Sequence, residues 1–269
     1  MSGASDWFQA VVLVATAIAT SASVMAQEAA QVEPSPTRLQ ELDFSKPPVL
    51  PNVDAPHSEA IEQAIHRGIG FLVADQNPNG SWGSPTNTKD LNIYAPVPGA
   101  HHAFRTATTS LCLSALIECA DEDDEAAQAA IEKGEAWLVE YLPRLRRADG
   151  TAIYNVWGHL YSIEALVHLH NRHADDSEKI AQIRSLIQQQ YDMLRRFESV
   201  DGGWGYYDFR YQAKRPTSSS ISFVGGAALV AMHQAKSIGI DPPQDVVDRA
   251  VAAIERQQKP DFTYLYGEY

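Results

Sequence analysis

A run of residues that recurs at long intervals limits what this chain can fold into more than any other feature. From Arg67 to Gly83 an amphipathic helical pattern ends at Gln76, and a Gly-polar-Trp turn follows at Gly80, Ser81 and Trp82. The clearest echo is Phe197-Glu198-Ser199-Val200-Asp201-Gly202-Gly203-Trp204-Gly205, and weaker ones begin near Lys133-Gly134 and Arg249. Aligning Phe71, Trp137, Leu194 and Ile254 gives a period of roughly 57 to 66 residues. Such a period marks a helical array in which each unit buries its apolar face against its neighbours.

Four segments carry the 3.6-residue apolar period and then a breaker. They are Ser58 to Gln76, about Asp124 to Leu142, about Ser177 to Phe197, and about Pro243 to Gln258. Their mixed charge suits an outer, solvated layer. Between them lie Arg105 to Glu118, Val156 to Asn171 and Ser220 to Ile238, which are small, apolar and nearly uncharged. A helix apolar on most sides is buried on most sides, so these form an inner layer. The pattern predicts an all-α fold, an α/α toroid of outer–inner helical hairpins.

The turns make sense in the same terms. A glycine after a helix adopts positive φ and ends it. The Gln76 amide can satisfy groups orphaned at a helix end, and Trp82 and Trp204 can bury large areas between hairpins if each indole N–H finds a partner. Gln76, Gly80, Trp82, Gly202, Gly203 and Trp204 are therefore expected to be structural. The run Arg67 to Gly83 resembles the QW motif of squalene and oxidosqualene cyclases and the related repeat of protein prenyltransferase β-subunits. Asp201-Gly202-Gly203-Trp204-Gly205 matches its core, with Glu198 in the place of Gln. The copy from Lys133 to Tyr141 lacks the terminal Trp, and Gln257-Gln258-Lys259-Pro260-Asp261-Phe262 lacks the Gly-x-Trp. The chain is also similar to exported bacterial cyclase-repeat proteins. The resemblance spans about Ile61 to the C-terminus and implies a toroid of about six hairpins. The sequence supplies about three and a half, so it reads as a fragment, or as an array that closes on a partner or a second copy if the native chain ends at Tyr269.

Residues 1–26 read as a signal peptide. The apolar run Trp7 to Ala26 ends in small residues suited to cleavage, although its leading segment carries Asp6 and no Lys or Arg. An uncleaved membrane anchor is the alternative, since a span needs about 20 apolar residues. Residues 27–57 are rich in proline and read as an extended linker, which leaves 58–269 as the repeat domain. Export to the periplasm or beyond follows from the signal. The net charge of −13 argues against nucleic acid as a partner. Cys112 and Cys119 would lie ~10 Å apart along one helix, too far to bridge, and are expected to be buried small hydrophobes.

Asp121-Glu122-Asp123-Asp124 spells the acid motif by which the resembled cyclases protonate an alkene, yet it follows an inner helix and leads into an outer one. A solvated helix cap is the better reading there. The leading ends of the inner helices carry the candidate chemistry. His101, His102 and Arg105 stand before the first, Tyr154, Asn155 and His159 at the second, and Asp208 and Arg210 before the third. These types suit proton transfer and anion binding, and equivalent placement suggests one shared polar site for an unknown ligand. No cofactor is required; a zinc ion would draw on His101, His102, His159 and Asp208. His168, His170 and His173 fit the negative end of a helix dipole. Three functions stay open: an isoprenoid-processing enzyme, a carbohydrate-active toroid such as a polysaccharide lyase using Asn155, His159, Tyr154 and Arg210, and a non-catalytic binding scaffold.

Overall fold

The computed structural model describes residues 55–83, 98–146, 155–205, 216 and 220–267, with the backbone alone for 98–101. The run Trp7 to Ala26 and the linker up to Asp54 lie outside these. Among the described residues no helix is long and apolar enough to cross a membrane. Among the described residues there are no strands, only the isolated bridges Ile221–Gly267 and Gln258–Tyr264.

The outer helices are α1 (Ser58–Asp75), α3 (Glu125–Tyr141), α5 (Ser177–Phe197) and α7 (Gln244–Gln257). The inner ones are α2 (Pro98–Cys119), α4 (Asn155–Arg172) and α6 (Ser222–Ser237). The inner helices pack side by side in the order α2, α4, α6, while α3, α5 and α7 each pack on the inner helix next to them in the chain. This is the expected alternation, with three outer–inner pairs and a fourth outer helix. Asp124 caps α3 through the amides of Ala126 and Ala127, and Asp176 caps α5 through those of Glu178 and Lys179, so each carboxylate satisfies N–H groups that a helix start leaves open.

Two details depart from expectation. Helix α2 begins at Pro98 rather than Arg105, because proline is at home in a first turn where no donor is needed; His101, His102 and Arg105 are thus inside the helix. The apolar residues of α1 were expected to face a core, yet Ile69 alone of that helix is buried. Ile61, Ile65 and Phe71 are 45%, 39% and 65% exposed.

The turns that close the outer helices share one backbone. Gln76, Glu198 and Gln258 follow α1, α5 and α7 with φ/ψ of −64/129, −61/134 and −72/130. In each, the next residue's N–H donates four residues on, at 2.9, 2.9 and 2.8 Å, from Asn77 to Ser81, Ser199 to Gly203 and Lys259 to Thr263. The positive-φ position is Gly80 (90°), Gly202 (96°) and Phe262 (65°). The third copy therefore exists as a backbone, with Phe262 and Tyr264 where the others have Gly and Trp.

The first and third turns seat on the next outer helix. Trp82 and Trp204 are fully buried, and their indole N–H groups donate back to Leu72 O at 2.7 Å and Leu194 O at 2.8 Å. Trp82 lies over Gly134 of α3, where any Cβ would come within 2.8 Å of the ring. A Cβ on Gly80 or Gly202 would collide with the carbonyl of Lys133 or Arg249. The Gln76 amide donates to Gly80 O and, across the seam, to Ala130 O at 2.8 Å. Glu198 makes the same crossing with opposite polarity, accepting from Arg249 Nε and Nη2 at 2.7 and 2.8 Å. After α3 there is a 3-10 turn, Leu142–Arg144, instead.

Candidate functional site

Asn155 and His159 stand one turn apart at the start of α4, and both are buried. His159 faces α5: its Nδ1 lies 2.7 Å from Gln190 Oε1. The Gln190 Nε2 is committed to Leu186 O at 3.0 Å, so Oε1 accepts and His159 Nδ1 carries the proton. Nε2 then accepts from Asn155 Nδ2 at 3.2 Å. Phe197 stacks on the ring at 5.8 Å. Burial pushes the pKa down to about 4, against a small opposing effect of Gln190. The imidazole is neutral, held in one tautomer and engaged at both nitrogens. That suits a core hydrogen-bond network better than a group waiting for substrate. Asn155 Oδ1 is buried with no partner among the described residues.

Gln190 shows why the network is there. It sits eight residues before the cap Glu198, the position of Gly134 on α3, over which Trp82 lies, and of Ala250 on α7. The second seam has a long polar side chain where the others have a glycine or an alanine. Beside it lies a pocket of about 220 Å³ with His159, Gln189, Gln190 and Met193 in its wall.

His102 also faces the outer layer. Its Nε2 donates to Tyr141 O at 3.2 Å, and its ring lies 5.9 Å from Trp137 and 6.0 Å from Tyr141. Burial first, and neighbouring arginines after it, lower its pKa, against the bond to Tyr141. Arg105 is half-buried, its Nε without a partner among the described residues. Among the described residues no hydrogen bond joins His102 or Arg105 to Asn155 or His159. The His101 side chain and Tyr154, Asp208 and Arg210 lie outside the described residues, and with them half of the expected polar site and two of the four zinc ligands. Among the described residues no group of three or more His, Cys, Asp or Glu could hold a metal.

The acid string is a cap. Asp121, Glu122 and Asp123 are exposed, and Asp124 accepts from Ala126 N and Ala127 N at 3.1 and 3.0 Å. Both cysteines are free. Cys112 is half-buried, and burial pushes its thiol up to about 11; Cys119 is exposed, which corrects the expectation that both are buried. It is the last residue of α2, next to the exposed Glu118. His173 donates to Glu135, which also receives Lys179 at 3.0 Å, a strut tying α3 to the end of α4 and the start of α5. His168 lies 3.6 Å from Glu118 of α2.

One constellation was missed in the sequence. On α4, Trp157 and Tyr161 stack at 5.7 Å, and Trp157 stacks on Phe223 of α6 at 5.9 Å. Phe223 meets Tyr266 at 5.5 Å. Phe223, Val230 and Tyr266 are 48%, 53% and 60% exposed, and Phe104 and Leu111 of α2 are 37% and 44% exposed. This aromatic row crosses the inner helices on a side other than the one His159 presents to α5. Farther along α4, burial and then the charge of Glu118 raise the pKa of Glu164, and burial and then Glu164 raise that of Tyr161. The signal was the spacing of Trp157 and Tyr161, one helical turn apart on a helix assigned wholly to the core.

A family model, the squalene-hopene cyclase C-terminal domain, matches residues 48–269. The chain belongs to that family. No curated protein and no solved structure matches the chain. Membership makes this a cyclase/prenyltransferase-like repeat protein, and the outer–inner alternation is its expected frame. Within that frame Asp121-Glu122-Asp123-Asp124 caps a helix in solvent.

Proposed function

We propose that this squalene-hopene-cyclase-type domain holds an apolar ligand of isoprenoid character along the exposed side of its inner helices. One observation carries the reading: the stacked row Tyr161–Trp157–Phe223–Tyr266, which bridges α4 and α6, half-buried at Tyr161 and Trp157 and exposed at Phe223 and Tyr266. Single exposed apolar residues are ordinary, but a contiguous aromatic row on inner helices is a binding feature. Aromatic faces suit flat or branched hydrocarbon, and they also attract positive charge developing on it. Catalysis is not part of this reading, because the acid string is a cap and His159 is neutral and engaged.

Export by the run Trp7 to Ala26, cleaved or retained as an anchor, belongs to the same proposal, as does continuation of the array beyond Tyr269 or its closure on a partner. The test of function is an equilibrium titration of the full chain with a fluorescent analogue of geranylgeraniol. The expected result is saturable binding that unlabelled geranylgeraniol displaces and oligosaccharides do not. Displacement by an acidic oligosaccharide alone would overturn the proposal in favour of the carbohydrate reading.

A further inference from the structure

The side of α4 that its described neighbours leave open is a single line. Helices α2, α5 and α6 pack on α4, and from Asn155 to Leu169 only Trp157, Tyr161, Glu164 and His168 are not buried. These four recur at intervals of four, three and four, which keeps them on one face of a helix. Counted from Phe104 on α2 and Phe223 on α6, the same intervals pick out residues that are again exposed or half-buried throughout. The stacking of Trp157 on Phe223 fixes α6 against α4. A Cβ on Gly158 would lie 3.3 Å from Ala103 O and 3.5 Å from Thr106, which aligns α2 with the same end. The open side is therefore built in levels. Phe104, Trp157 and Phe223 form the first, Leu111, Glu164 and Val230 the third, and Ala115, His168 and Gln234 the fourth.

Charge and hydrogen-bonding capacity gather at the end away from the aromatics. Glu164 is half-buried at the level of two apolar residues, and no described residue hydrogen-bonds or ion-pairs with its carboxyl. Burial and then the charge of Glu118 raise its pKa, so the carboxylate lacks both full hydration and a counter-charge. One level on, Gln234 Oε1 is buried with no partner among the described residues, and His168 lies 3.6 Å from Glu118. A cavity of about 620 Å³ opens at this end with Glu118 and His168 in its wall. Arg172 also lines it, but its guanidinium donates to Gln128 of α3 at 2.8 Å. Carboxylates and an amide oxygen are acceptors, and acceptors taken out of water are as a rule paired with a donor.

We infer that the apolar ligand of the aromatic row carries a protonated amine as its head, held at the Glu164 carboxylate with its tail along Trp157 and Phe223. The inference rests on the isoprenoid reading above and adds the head group to it. Seven residues separate Trp157 from Glu164, ~10 Å along the helix axis, so a chain seated on the first level reaches the carboxylate along one open side. An ammonium restores what Glu164 lacks. It brings N–H donors, and its charge offsets the repulsion between Glu164 and Glu118. A charge-assisted bond to a half-buried carboxylate is stronger than a neutral one, which places an amine ahead of an alcohol. A diphosphate head would add negative charge beside two carboxylates and ranks last.

The test is competition for the fluorescent geranylgeraniol analogue on the full chain by unlabelled geranylgeranylamine, geranylgeraniol and geranylgeranyl diphosphate. The amine is expected to displace the analogue at a concentration at least about tenfold lower than the alcohol needs, and the diphosphate to require the most. Glu164→Gln keeps the shape of the side chain and removes an unpaired charge from a half-buried site, so it spares the fold. It should erase the amine's advantage while leaving displacement by the alcohol within about twofold of the native value. Equal displacement by amine and alcohol, or tightest binding of the diphosphate, would overturn the inference. So would an amine advantage that survives Glu164→Gln, because attraction to the net charge of −13 would then explain it. Each of these results leaves the isoprenoid reading standing, whereas failure of the analogue to bind at all would overturn that reading and this inference with it.

Discussion

At His159 the proton inventory of one side chain decides between a catalytic and a structural role. Gln190 fixes the proton on Nδ1, and Asn155 occupies the other nitrogen. The folded pKa is lowered to about 4 from an unfolded value of 6.5. As pH falls through that window the unfolded chain takes up a proton that the native state refuses. Stability is therefore full above pH 6.5, declines towards pH 4 and levels off below it, by on the order of 3 kcal/mol in all. Urea midpoints measured across that range should show this decline in the native chain and a flatter profile in His159→Gln. The same substitution should cost about 1–3 kcal/mol at pH 8, since it leaves buried partners unsatisfied. Phe262 presents the opposite case, a bulky residue held at φ 65° and 70% exposed. Phe262→Gly should raise stability by about 1 kcal/mol, read as a shift in the urea midpoint.

Between elements, stability is concentrated at the seams, where the third shows how a departure from the repeat is made good. Glu198 is fully buried, and its crossing contact to Arg249 replaces the amide donation that Gln76 makes to Ala130. Arg249→Ala removes a paired guanidinium from a buried carboxylate and should cost about 3–5 kcal/mol by chemical denaturation. Adding Glu198→Gln should recover part of that loss, because a neutral amide tolerates the site. A strictly additive double variant would contradict this account of the seam. The outer helices and the Gly-x-Trp turns could be read from the sequence to within a few residues, since periodicity and glycine chemistry are local. The last turn could not, because Phe262 and Tyr264 erase its signature while the backbone persists. Nor could the start of α2, where Pro98 opens a helix in a stretch without clear apolar period.

For the molecule as a whole, the division between inner and outer layers places the candidate functions on different sides of α4. The polar residues legible in the sequence by type, His102, Asn155 and His159, turn towards the outer layer and hold seams together. Residue type advertised chemistry, but the side of the helix on which each residue falls depends on how α4 packs against α5. Trp157, Tyr161 and Phe223 were hidden for the converse reason: on an apolar helix, an aromatic left half-buried or exposed reads the same as one in the core. The central claim is that ligand binding belongs to the aromatic row and not to the buried polar network. Its most direct test compares dissociation constants for the fluorescent geranylgeraniol analogue in Trp157→Ala and His159→Gln, each confirmed folded by circular dichroism. Binding weakened about tenfold or more in Trp157→Ala and unchanged in His159→Gln is the predicted result; binding lost in His159→Gln and retained in Trp157→Ala would contradict it.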